Sequence, residues 1–293
     1  MIRGASRGKP HGALYRVDWR RRAAEKVLDW ADPSISWRGS GGDRGLRGIA
    51  VTEEAIFVAA ATKILVLDSK FAVRDTLANP FLHHIHEIAA HGGEVWITST
   101  GCDSLVALDR TSGRFLRGLC LREDDSGALS YEFFDPESSI GPDVVNSIHL
   151  NNTVSRGGGL YASARDRAIV LSINGDEITP WAPIPLGSHN PQPCDDGVIF
   201  SDTPAGCAVR TDLFGVRLVE YQPEHPADLE PTPHASPGFV RGLHVESDQV
   251  IVGSSPASVS RFDLNSGDLI DAITLETNVD HAVHSIASLL DER

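Results

Sequence analysis

Four of the twelve histidines in this chain, His83, His84, His86 and His91, fall within nine positions of the stretch LHHIHEIAAHGGEVWITST, Leu82 to Thr100. Imidazole ligates metals and moves protons near neutral pH, so such a cluster asks for a chemical reading. The spacing to the next apolar run sharpens it. Arg47 to Ile56, His86 to Val95, His189 to Val198 and Arg241 to Val250 are all nine residues apart. Asn146 joins the set through its NSIH pattern, and His284 through the match of HSIAS to HEIAA. The equivalent position then reads Arg47, His86, Asn146, His189, Arg241, His284, with histidine at every second place.

Elements must bring those positions together. Five segments, opening at Arg47, His86, Asn146, His189 and Arg241, share one pattern: a short strand, a turn, a strongly apolar strand, a small-residue turn, and a further strand ending near Asp or Gly. Period-two alternation with Gly, Asn, Asp and Ser at the turns reads as four antiparallel strands per unit. Units of roughly 40–50 residues built this way are β-propeller blades. The ends supply a sixth: HAVHSIASLL from His281 reads as an innermost strand, and Met1 to Trp19 with AAEKVLDW as the three outer ones. The expectation is an all-β, six-bladed propeller, one domain over residues 1–293, its ring closed by one C-terminal and three N-terminal strands. REDDSGALSYEFFDPESSIGPD, from Arg122, lacks alternation and reads as a loop.

On a propeller axis, imidazoles from alternate blades converge with threefold spacing and leave coordination positions open. His86, His189 and His284 are thus the candidate ligands of a divalent metal, zinc or ferrous iron. Neutral nitrogen ligands leave the full charge on the ion, which pulls the pKa of a bound water toward about 7. Arg47 and Arg241, with Asn146 among them, are the catalytic candidates. Their positive charge calls for an anionic small-molecule substrate, a carboxylate or a developing oxyanion. His149 and His244, three residues beyond the ring, and His83 and His281, three before it, read as outer-layer groups or, with a slipped register, as ligands themselves. A structural reading stands beside this one, in which channel-lining histidines merely bond water and the arginines pair with Asp43, Asp143 or Asp280. His84 and His91 read as turn or solvent-facing residues; His11, His225 and His234 read as loop residues. Two long connections, residues 122–142 and the one from Pro223, would roof the ring, with Trp37 and Tyr131 as apolar substrate-contacting candidates beside Phe133 and Phe134.

Composition closes other routes. A formal net charge of −14 and a pI near 5.2 argue against a phosphate-tracking surface, so nucleic acid is not an expected partner. The N-terminus lacks the apolar core of a signal peptide, and no segment is apolar for long enough to span a bilayer, which points to a cytoplasmic protein that does not engage membranes. The four cysteines, Cys102, Cys120, Cys194 and Cys207, show no CxxC spacing and read as free thiols.

In its blade pattern and in the spacing of His86, His189 and His284, the chain resembles peptidyl-hydroxyglycine amidating lyase, a six-bladed propeller whose zinc is held by histidines from alternate blades beside an arginine. That resemblance implies metal ligation by those three histidines, a catalytic role for Arg47, and Tyr161 as the counterpart of the lyase's tyrosine. A register slip that made His149 and His244 ligands would instead resemble the four-histidine iron centre of carotenoid cleavage oxygenases. The functional expectation is a metal-dependent lyase or hydrolase acting on a small carboxylate- or amide-containing substrate. Three alternatives stay open: a non-haem Fe(II) oxygenase using the same histidines, a metal-free anion-gripping transferase of the arylsulfotransferase type, and a protein-interaction propeller.

Overall fold

The computed structural model describes residues 1–37, 43–224 and 229–290. His225 lies outside the described residues. Strands β1 (Gly12–Asp18) and β2 (Ala23–Trp30) form a two-stranded sheet. The first blade is β3 (Ile49–Val51), β4 (Ile56–Ala60), β5 (Lys63–Leu67) and β6 (Val73–Ala78). The second has five strands, β7 (Ile85–His91), β8 (Glu94–Ser99), β9 (Ser104–Asp109), β10 (Phe115–Glu123) and β11 (Leu129–Phe134). The third is β12 (Leu150–Arg156), β13 (Gly159–Ala164), β14 (Ile169–Asn174) and β15 (Glu177–Pro183). The fourth is β16 (His189–Cys194), β17 (Gly197–Asp202), β18 (Cys207–Asp212) and β19 (Arg217–Tyr221). The fifth is β20 (Leu243–Glu246), β21 (Gln249–Ser254), β22 (Ser258–Asp263) and β23 (Leu269–Thr274).

Each blade is a meander of antiparallel neighbours in chain order. The second strand is the most apolar, and β4 is buried at all five residues, while outer strands such as β6 are largely exposed. One acidic residue closes the turn between third and fourth strands in several blades. The Oδ1 atoms of Asp68, Asp109, Asp212 and Asp263 each accept backbone N–H groups two to four residues on, as in Asx turns. This is the physical content of the recurring Asp in the sequence repeat.

The chain divides into two compact units: Arg47–Gly187 with Ala287–Arg293, and Met1–Leu46 with Ser188–Ile286. In the first, blades pack face to face through two apolar clusters, one around Phe57, Ile85 and Ile97 and one around Trp96, Leu119 and Leu160. In the second, Ile199, Tyr221, Val250 and Phe262 fill the space between the fourth and fifth blades. Ile251, Val259 and Ile273 cover the other face of the fifth blade and pack on Val17 and Trp19 of the N-terminal segment.

Two expectations are corrected. The fold is an all-β propeller, but the described residues form five blades of four or five strands rather than six. The ends do not make a four-stranded sixth blade: among the described residues β1 and β2 pair only with each other, residues 282–290 form no strand, and one isolated bridge joins Ile2 to His281. Before β1, Pro10 has no N–H to give a ladder and Gly8 turns with φ +82°, so residues 3–11 cannot run on as an extended strand. Secondly, the stretch from Arg122 is not simply a loop. β10 runs on to Glu123, the Oδ1 of Asp124 accepts N–H groups from Ser126 and Ala128 to close a turn, and β11 returns as a fifth strand.

Candidate functional site

In the first unit, the chain enters β7 through His84 and β12 through His149, both with a left-handed backbone, φ +54° and +55°. Such angles are strained for residues with a Cβ and cost of order 1 kcal/mol or more each. They aim two side chains that an ordinary strand start would not. The His86 ring stands edge-to-face against both, its centroid 4.8 Å from that of His84 and 5.2 Å from that of His149. The Arg47 guanidinium joins them: Nη1 is 3.3 Å from His86 Nδ1 and 3.2 Å from Nε2, 3.5 Å from His84 Nε2, and donates to the Ile85 carbonyl at 3.2 Å. Arg47 and His86 are each 4% exposed.

Backbone approach makes this meeting possible. Gly48 donates its N–H to the His86 carbonyl at 2.8 Å, and a Cβ there would lie 2.6 Å from the Ile88 nitrogen. Only glycine fits, which explains why it follows Arg47. β7 carries a bulge between Ile85 and Ile88, and the freed N–H groups of His86 and Glu87 both donate to Thr98 Oγ1.

Asp103 positions His149. It is fully buried, and its Oδ2 accepts the Ser147 N–H at 2.5 Å, the Ser147 hydroxyl at 3.1 Å and the Ile148 N–H at 3.0 Å, while Oδ1 accepts the Leu150 N–H at 3.0 Å. One carboxylate thus holds both sides of the His149 turn. Thr100, 14 residues after His86, lies with Oγ1 2.8 Å from His86 Nδ1 and donates to the Leu150 carbonyl at 2.8 Å.

The register corrects one placement. Arg47 donates its N–H to the Ala59 carbonyl, Arg241 to that of Gly253, and His189 pairs with Ser201. Each partner is three residues beyond the start of the apolar strand run at Ile56, Val250 and Val198. In the third blade Ser163 pairs with Asn152, and Asn151 sits beside that pair in the bulge between Leu150 and Asn152, bonded by the Ser163 hydroxyl at 3.4 Å. Asn146 is an exposed residue ahead of β12, its side-chain nitrogen 3.1 Å from His149 Nδ1. The nine-residue count from Leu160 leads to Asn151; the NSIH pattern misled.

The second unit holds His189, Arg241 and His284, all buried. His189 Nδ1 lies 2.9 Å from Thr203 Oγ1, again 14 residues on, and Thr203 donates to the Val240 carbonyl at 2.7 Å. The Phe239 ring sits 6.5 Å from the rings of both His189 and His284, with the Arg3 guanidinium over it, 3.7 Å from its centroid. Asn190, at φ +50°, accepts the Gly242 N–H at 3.0 Å and donates to the His284 carbonyl at 3.4 Å.

The remaining candidates lie elsewhere. His83 spends its ring on the Pro80 carbonyl at 2.9 Å. His244 is half-buried on β20, opposite Ile251. His281 bridges to Ile2, and burial pulls its pKa below the usual histidine value. Trp37 packs edge-on against His11 at 5.4 Å and under Arg44 at 5.2 Å. Tyr131, 45% exposed, lies on β11, four strands from β7 and so about 19 Å from the imidazole cluster by strand spacing. It does not wall a site at His86. The four cysteines are free, and burial pushes each thiol pKa up.

Among the described residues no group of three or more His, Cys, Asp or Glu side chains is placed to hold a metal ion. The donor set therefore does not fit the zinc or ferrous iron expected from the sequence, and no chemical step is drawn through one. No described helix is long and apolar enough to cross a membrane.

No protein-family model matches the chain, and no curated protein does. Solved structures do. The nidogen/laminin complex matches at 12% identity over 94% of this chain and 95% of that one, TM-score 0.60. A protein of unknown function from Bacteroides caccae matches at 10% identity over 92% of each, TM-score 0.54. These two likenesses speak to the propeller fold alone. Virginiamycin B lyase from Staphylococcus aureus with quinupristin aligns at 13% identity over 80% of this chain and 71% of that one, with a TM-score of 0.48 that speaks to nothing further.

Proposed function

We propose that the chain is an enzyme acting on a small anionic substrate, in which Arg47 takes the anionic group and His86, flanked by His84 and His149, moves a proton. The observation that carries this reading is the gathering of one guanidinium and three imidazoles into one cluster, with Arg47, His86 and His149 buried and His84 half-buried, within a chain of net charge −14. The overall field of such a chain repels anions, so a local concentration of N–H donors and positive charge selects an anion by fit. Donors fixed by strained turns and a bulge are preorganised, the condition under which they stabilise developing negative charge most. A bound oxyanion would meet Arg47, and a proton on its neighbouring atom would meet imidazole, the side chain suited to both taking and returning it near neutral pH. Elimination and hydrolysis both use this pair of roles, so a lyase or hydrolase remains the reaction class proposed.

The test is isothermal titration of the protein with inorganic phosphate, sulfate and acetate. At least one should bind, and Arg47→Gln should weaken it by about tenfold or more, in line with loss of a charge-assisted pair. Equal binding by the variant, or no binding of any anion, would defeat the proposal.

A further inference from the structure

Thr100 and Thr203 carry the same arrangement twice, once in each unit. Each follows its histidine by 14 residues, His86 or His189; each donates its hydroxyl hydrogen to a backbone carbonyl, at 2.8 Å to Leu150 or 2.7 Å to Val240; and each oxygen lies 2.8 or 2.9 Å from imidazole Nδ1. A hydroxyl has one hydrogen. Once that hydrogen is committed to a carbonyl, which can only accept, the oxygen can meet Nδ1 only as an acceptor. Nδ1 must then carry the proton. At His86 a second acceptor agrees, the His84 carbonyl 3.0 Å from the same Nδ1, and the Arg47 guanidinium, which can only donate, is then left to meet the lone pair of Nε2, 3.2 Å from its Nη1.

We infer that Thr100 and Thr203 are positioning residues that hold His86 and His189 as Nδ1–H tautomers, so that each neutral ring offers Nε2 as its base. For His86 this deepens the proposed function, on which its catalytic meaning rests: the nitrogen that takes the substrate proton is Nε2. A ring free to flip or to exchange tautomers would present a base only part of the time, and a fixed outer hydrogen bond removes that loss. Position 14 after Arg241 supports the structural logic. Ser255 stands there, and with no imidazole to serve it still donates its hydroxyl to a carbonyl, that of Val279, at 2.6 Å. The hydroxyl-to-carbonyl tie thus belongs to the blade, and His86 and His189 make use of its spare lone pair.

The experiment reads the tautomer on the ligand-free full chain and so stands or falls apart from anion binding. Imidazole nitrogens of ¹⁵N-histidine-labelled protein are recorded by long-range ¹H–¹⁵N correlation at pH 8, with His86 and His189 assigned from His86→Gln and His189→Gln. Both rings should show an unprotonated, low-field Nε2 and a protonated Nδ1. Thr203→Val should move His189 toward a tautomer mixture while Thr203→Ser keeps the wild-type pattern, and Thr100→Val and Thr100→Ser should do the same at His86 with a smaller shift, because the His84 carbonyl remains. Thermal melts identify any valine variant that fails to fold, in which case the wild-type tautomers and the serine variants decide. A protonated Nε2 on either wild-type ring, or a folded Thr203→Val protein with unchanged His189 signals, would overturn the inference.

Discussion

Replacing Asp103 by alanine removes four hydrogen bonds to one fully buried carboxylate and strands three backbone N–H groups, those of Ser147, Ile148 and Leu150. Bonds to a charged group are worth about 1.5–3 kcal/mol each, but water reaching the vacated space restores part of that, so the net loss should be about 3–5 kcal/mol. Against a stability of about 5–15 kcal/mol for a typical domain, the alanine variant should be marginal. Asp103→Asn is the gentler probe. With its one carbonyl oxygen kept on the three donors now served by Oδ2, it sets an NH₂ against the Leu150 N–H and should cost about 1–3 kcal/mol. Urea unfolding gives the stability, and hydrogen exchange at residues 147, 148 and 150 gives the local effect. Because this turn carries His149, phosphate binding should weaken several-fold in the asparagine variant even where it remains fully folded. An alanine variant within about 1 kcal/mol of the parent, with those amides still protected, would refute the reasoning.

Three further outcomes are expected. Gly48→Ala places a Cβ 2.6 Å from the Ile88 nitrogen and 2.8 Å from the Glu87 Cα, so it should cost about 1–3 kcal/mol in urea unfolding and weaken anion binding by displacing His86. Tyr131→Ala, on the outermost strand, should lower stability by less than about 1 kcal/mol and leave anion titrations unchanged; weakened binding would restore it to the site. Stability should fall between pH 7.5 and 5.5. Burial is the leading cause that lowers the pKa of both His11 and His281, so the unfolded chain binds protons near its ordinary value of about 6.5 while the folded chain does not, and acid favours unfolding. The urea midpoint should drop across that window, and the drop should shrink in His11→Gln; a midpoint that rises on acidification would contradict the assignment.

The blade repeat was legible because strand burial imposes alternation and because the turn-closing aspartates recur at fixed offsets. The number of blades was not. HAVHSIASLL has the pattern of an innermost strand, yet pattern does not supply a partner, and Pro10 and Gly8 remove the neighbour it would need. The β10–β11 hairpin was hidden for a different reason: Tyr131 and Phe133 lie on an exposed outer edge, where no buried face enforces alternation. Within the cluster, Arg47 and His86 could be found by counting to the next apolar strand. His84 could not, since a left-handed backbone before a strand leaves no compositional mark on a histidine. Asp103 and Thr100 act through long-range bonds to the turn before β12, and only the repeated 14-residue interval from histidine to threonine gave a sequence-level trace of the second.

The central claim, that an anion meets Arg47 and the imidazoles of His84, His86 and His149, is tested most directly by histidine-selective NMR of the whole chain during titration with inorganic phosphate. Saturable shifts are expected at the rings of His84, His86 and His149, absent in Arg47→Gln and absent at His91, whose ring bonds Ser155. Saturation with those three rings unmoved, or the same shifts persisting without the arginine, would contradict it.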